Sequence, residues 1–80
     1  MNREQVKAAV YKVIGELVKD QELTEEMEFK RLAIDSIDIA VAIIDIENEL
    51  NVRFSDDAQS MVTLETIGEL IDKMCEELSI

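Results

Sequence analysis

Histidine, proline and tryptophan are missing from these 80 residues, and cysteine occurs once, at Cys75. Without histidine there is no Ser/His/Asp triad, no Cys/His dyad and no His/Cys zinc site. A lone cysteine excludes an internal disulfide. Glycine is limited to Gly15 and Gly68, and with no proline the composition reads all-α. No apolar run reaches the roughly 20 residues of a membrane span. The stretch Asn2-Arg3-Glu4-Gln5 after Met1 has no apolar signal core. The expectation is a cytoplasmic chain without stable membrane insertion. Carboxylate acid–base catalysis stays formally open, but it needs a cavity that desolvates a carboxyl group and raises its pKa. So small a core offers little for that, and no catalytic residue, metal site or enzyme activity is expected.

Positive charge is also scarce. Eight Lys and Arg stand against 19 Asp and Glu, a formal net charge of −11. Nucleic acid and anionic membranes would repel such a chain, whereas basic protein surfaces would attract it. The charge is uneven. Residues 1–19 hold Arg3, Lys7, Lys12 and Lys19 against Glu4 and Glu16 and net +2, so the remainder nets −13. The length is that of one domain, residues 1–80. A domain of this size buries only about 60% of its unfolded surface.

What is present is helical periodicity. From about Arg3 to Lys19, the residues Val6, Ala9, Val10, Val13, Ile14, Leu17 and Val18 recur at helical spacing. Gly15 lies inside that helix, where it costs up to about 1 kcal/mol relative to alanine. Residues 20–34 have no clean period, and a loop this long in a small domain needs a reason. Leu23, Met27, Phe29 and Leu32 are its candidate anchors, giving an ordered connection across the bundle end. A second helix is predicted from about Ser36 to Leu50, with Asp35 or Ser36 as its cap and Asp38 in its first turn. It carries two apolar faces. Ile39, Ile43, Ile46 and Leu50 form one. Ile37, Ala40, Val41 and Ile44 form the other, which begins beside Ser36. One face suffices for a core, so the second is read as partner-facing rather than buried. After Asn51-Val52-Arg53-Phe54, a short helix over about 55–61 would be capped by Ser55. Thr63 would cap a last helix with Leu64, Ile67, Leu70, Ile71, Met74 and Leu78 on one side.

Other patterns have plain readings. Asp45, Glu47, Glu49 and Asp56 mimic part of a calcium-loop spacing, but Leu50 stands where the loop needs glycine. They read as a solvated helix face. Asp56 and Asp57 read as charges at a helix start, and Cys75 as a small apolar residue at a core edge.

In this setting the segment Phe29-x-x-Leu32-Ala33-Ile34-Asp35-Ser36-Ile37 resembles the Phe-x-x-Leu-Gly-x-Asp-Ser-Leu pattern of the acyl carrier protein family, peptidyl carrier domains included. The resemblance covers nearly the whole chain. It implies a four-helix bundle of acyl carrier type, with a long first loop and a short third helix. It implies that Ser36 accepts 4′-phosphopantetheine from coenzyme A through a phosphodiester bond made by a phosphopantetheinyl transferase, and that Asp35 supports the attachment. The implied role is a non-catalytic, monomeric carrier, serving acyl-loading and acyl-processing enzymes of fatty-acid, polyketide or related lipid synthesis. An aminoacyl or peptidyl carrier is the alternative within the class. An unmodified acidic interaction module is the alternative outside it, and an acidic mimic of nucleic acid is a third; the intact Asp35-Ser36 pair counts against both. The partner face is read as Ile37, Asp38, Ala40, Val41, Ile44, Asp45 and Glu47. The chain departs from the family pattern at five positions. Ala33 replaces the usual glycine, Val41 a common glutamate and Ser55 a common proline, while Lys30 and Arg31 stand where acids are common. These departures suggest a specialised carrier docked more by apolar contact than the housekeeping one.

Overall fold

The computed structural model describes residues 1–18, 22–54 and 64–80. Among them are three α-helices and no strand: α1 (Arg3–Leu17), α2 (Ser36–Leu50) and α3 (Ile67–Glu77). The helix expected over 55–61, with its cap at Ser55, lies outside the described residues, as do Asp56, Asp57 and Thr63. The all-α class holds, and the arrangement is compatible with a bundle of acyl carrier type.

Each helix begins with a reciprocal capping box, which satisfies two otherwise orphaned N–H groups. Asn2 and Gln5 close α1, Asp35 and Asp38 close α2, and Thr66 and Glu69 close α3. The last helix is thus capped by Thr66, three residues beyond the expected Thr63, and Leu64 precedes it. The reason is tertiary. Backbone around Thr66 pairs with the first loop, as described below, and only after that pairing can the chain coil.

The core is apolar throughout, with no buried polar or charged residue among those described. Helix α1 contributes Val6, Ala9, Val10, Val13 and Ile14; α2 contributes Ile39, Ala42, Ile43 and Ile46; α3 contributes Ile67, Leu70, Ile71, Met74 and Cys75. Leu17, expected inside, is 45% exposed. It is the last helical residue of α1, and Val18, just past it, turns inward instead. Helix α1 packs against both α2 and α3. It therefore holds the central place among the described helices, and α2 can keep one face free.

From residue 22 to residue 34 the first loop packs on the bundle, as its anchors predicted. Phe29, Leu32 and Ile34 are buried, with Leu23 and Met27 packed against the core. Its backbone also docks on the start of α3. Phe29 N–H donates to Glu65 O at 2.9 Å, Ile67 N–H to Met27 O at 3.1 Å, and Gly68 N–H to Glu25 O at 2.9 Å. Loop carbonyls thus receive N–H groups that a helix start leaves unpaired. A Cβ at residue 68 would stand 3.0 Å from Glu25 O, so glycine permits this approach. At Gly15 a Cβ would meet only Leu23 Cδ1, at 3.9 Å, which is ordinary contact.

The loop then winds into one helical turn that ends at Ala33. Ala33 N–H donates to Lys30 O and Ile34 N–H to Phe29 O, the two bonds of a Schellman motif. Such a motif needs a left-handed residue, and Ala33 supplies it at φ 58°. Asn51 after α2 and Ser79 after α3 stand in the same role, at φ 56° and 58°. Glycine is the usual occupant, yet both glycines of this chain lie within helices instead.

Candidate functional site

The turn at Ala33 directs Ile34 into the core and leaves Asp35 and Ser36 in solvent. Asp35 is extended, at φ −95° and ψ −179°, and its Oδ1 accepts the Asp38 N–H at 2.9 Å. Asp38 Oδ2 reaches back toward the Asp35 N–H at 3.5 Å. The cap is therefore Asp35. Ser36 is the first residue of α2, and its hydroxyl stays outside the capping arrangement.

The backbone at this helix start differs from that of α3. Ile39 N–H donates to Asp35 O, and Asp38 N–H is taken by the cap. Among the described residues, no acceptor takes the Ser36 or Ile37 N–H. At α3 the corresponding groups of Ile67 and Gly68 are bound by the loop. Two open N–H groups at the positive end of a helix dipole favour an anion beside them.

An open cleft of about 460 Å³ begins at Ser36. Its walls are Phe29, Ile34, Ile39 and Leu64, and Glu28, Lys30 and Glu65 line it as well. Residues 64 and 65 are brought there by the Phe29–Glu65 backbone bond. Sequence reading singled out Ser36 and its neighbours but not Leu64 or Glu65, because nothing local marks residues that enter a site through a distant backbone pairing.

The remaining candidates lie along α2. Ile37, Val41 and Ile44 are 71%, 53% and 56% exposed, an unpartnered apolar stripe running away from Ser36. Ala40 is half-buried and Asp45 exposed. Besides Asp38 in the cap, two acids of this helix have structural work. Glu47 Oε2 accepts the Phe54 N–H at 2.8 Å, and Glu49 holds Lys12 at 2.9 Å, which raises the Lys12 pKa. Cys75 is buried, and loss of solvent pushes its thiol up. That keeps it protonated and poorly nucleophilic.

These residues fit a phosphate-linked prosthetic group. An exposed hydroxyl, two unclaimed N–H donors and a cleft alongside leave room for a phosphodiester and the first atoms of a chain. Ser36 would hold the group covalently, with the Ser36 and Ile37 N–H groups beside its phosphate.

Comparison with known proteins agrees with that fit. The sequence model of the phosphopantetheine attachment site matches residues 4–74. The chain is also similar to acyl carrier protein 1, chloroplastic, of Casuarina glauca, at 32% identity over 77 residues, 95% of this chain and 56% of the relative. It thus spans little more than half the length of that relative. No solved structure matches. The matched span begins in α1, passes through the Asp35-Ser36 turn and ends in α3, and on that basis the chain belongs to the phosphopantetheine carrier family, whose attachment domain is the site of covalent 4′-phosphopantetheine linkage.

Proposed function

We propose that residues 1–80 form a single acyl carrier domain loaded at Ser36. The observation that carries this reading is the free Ser36 hydroxyl at the mouth of the cleft, with Asp35 rather than Ser36 closing the cap. Ser36 Oγ is the acceptor atom. It attacks the pantetheine-side phosphorus of the coenzyme A pyrophosphate and loses its proton to the transferase site. The new Oγ–P bond forms as the pyrophosphate P–O bond breaks and adenosine 3′,5′-bisphosphate leaves, a phosphopantetheinyl transferase being the catalyst. Asp35 supports the transfer by fixing the helix start and by placing a carboxylate next to the hydroxyl, where a divalent cation accompanying coenzyme A can be met. Once bound, the group supplies a terminal thiol for thioester chemistry; the protein supplies a tether, a cleft and a recognition face.

The stripe of Ile37, Val41 and Ile44, with Asp38, Ala40, Asp45 and Glu47 around it, is the face offered to acyl-loading and acyl-processing enzymes. Contiguous exposed apolar side chains mark such sites. Similarity to a protein named as an acyl carrier supports an acyl cargo for this chain. Fatty-acid, polyketide or related lipid synthesis is the pathway class proposed, with an aminoacyl cargo as the alternative. A specialised monomeric carrier in the cytoplasm, docked largely by apolar contact, completes the reading. Among the described residues no helix is long and apolar enough to cross a membrane.

The test is an intact-mass measurement after incubation with coenzyme A, magnesium and a broad-specificity transferase. The expected result is a gain of one phosphopantetheine unit in the wild type and none in Ser36→Ala. A folded, unloaded wild type that gains nothing argues for an unmodified interaction module.

A further inference from the structure

Most described bases of this chain already have an acid. Arg3 and Lys7 bind Glu25, Lys12 binds Glu49, Arg31 lies 3.3 Å from Glu28, and Lys73 lies 3.9 Å from Glu76. Among the described residues, Lys30 and Arg53 are the bases without an ion pair. Arg53 follows the far end of α2. Lys30 is exposed and lines the same cleft as Ser36.

Acids surround that cleft. Asp35 and Asp38 form the cap beside Ser36, and Glu28 and Glu65 line the walls. A phosphodiester on Ser36 is a monoanion, and these carboxylates repel it. Favourable partners in the same place are the open Ser36 and Ile37 N–H groups and the Lys30 ammonium. Lys30 also stands on the turn that ends in the Ala33 Schellman motif, and its carbonyl accepts the Ala33 N–H at 3.3 Å. Its backbone is thus hydrogen-bonded in place, while its exposed side chain makes no ion pair among the described residues.

We propose that Lys30 is a positioning residue for the prosthetic arm. Its ammonium pairs with the phosphodiester on Ser36, offsets the surrounding carboxylates and sets the first atoms of the arm along the cleft toward Leu64 and Glu65. The proposal rests on Ser36 being the attachment residue.

The experiment compares wild type, Lys30→Met and Lys30→Arg, each prepared unloaded and fully loaded, with loading verified by intact mass. Thermal unfolding is followed at low and high salt, and the Lys30 ε-carbon is titrated by NMR. Loading should raise the Lys30 pKa. The loaded-minus-unloaded midpoint should be about 2–4 °C lower in Lys30→Met than in wild type, as a surface charge contact in a domain this size implies. High salt should shrink that gap, and Lys30→Arg should restore the wild-type difference. Equal differences in all three proteins, with no change in the Lys30 titration, would overturn the Lys30 contact alone. No mass gain in any of them would remove the attachment reading and the contact together.

Discussion

The backbone of Ala33 shows how one residue can be both an obstacle and a necessity. At φ 58° it is left-handed, which costs an L-residue about 1–2 kcal/mol. The turn accepts the strain because two backbone bonds and the burial of Ile34 depend on it. Glycine would remove the strain, but it would add about 0.4–1 kcal/mol of unfolded-chain entropy. Ala33→Gly should therefore stabilise the protein by a net of about 0.5–1 kcal/mol, measured as a shift in the urea midpoint at unchanged slope. A destabilised variant would mean that alanine packing, not backbone conformation, governs this position. The alanine was visible in the sequence, but its left-handed geometry was not.

Between elements, the two glycines do different work although both lie in helices. Gly15 faces ordinary contact, so Gly15→Ala should raise stability by up to about 1 kcal/mol, the helix-propensity gain. Gly68→Ala should lower stability, because its Cβ would press on the Glu25 carbonyl at 3.0 Å and loosen the Gly68–Glu25 bond. Chemical denaturation of the pair checks both signs. Helix α2 adds a functional contrast. Its buried face of Ile39, Ile43 and Ile46 holds the core, whereas the opposite stripe of Ile37, Val41 and Ile44 is exposed. Val41→Glu should thus change stability by no more than about 0.5 kcal/mol while weakening capture of the native partner enzyme. Undiminished partner binding by that variant, read by calorimetry, would refute the apolar docking face.

For the whole molecule, one charged cluster ties the ends together. Arg3, at the start of α1, donates to Glu25 at 2.5 and 3.1 Å and to Asp72 of α3 at 2.9 Å, and Lys7 approaches Glu25 at 3.4 Å. The Arg3 hydrogen bond holds the Glu25 carboxyl at about 2, below its ordinary 4.5. A carboxylate with a lowered folded pKa stabilises the fold fully above its unfolded pKa and ceases to as pH falls through the folded one. This cluster therefore supports the fold above about pH 4.5 and fails progressively toward pH 2. In Arg3→Gln, urea unfolding across that range should show lower stability than wild type at neutral pH and convergence with it near pH 2. A stability gap that persists unchanged at pH 2 would show that Arg3 acts by packing instead. The stabilisation is modest, since the Arg3 side chain is substantially exposed and solvent screens it.

At this same scale, local chemistry and long-range packing divide cleanly. Helical period, the Asp35 cap, the Ser36 position and the Phe29-to-Ile37 pattern lie within a few residues of one another, and hydrogen bonds spanning three or four residues obey such local order. The amino-acid sequence alone therefore determined the all-α class, the span of α2, the core face of that helix and the serine that starts it. Other features needed the folded chain. Thr66 became the last cap because residues 27–29 pair with 65–67. The stripe of Ile37, Val41 and Ile44 is exposed because, among the described helices, α1 and not α2 lies between two others. Leu64 and Glu65 share a cleft with Lys30 and Ser36 because a backbone bond joins Phe29 to the distant Glu65. Pairings across such a separation are set by the total burial of the core, and no short window of sequence contains that sum.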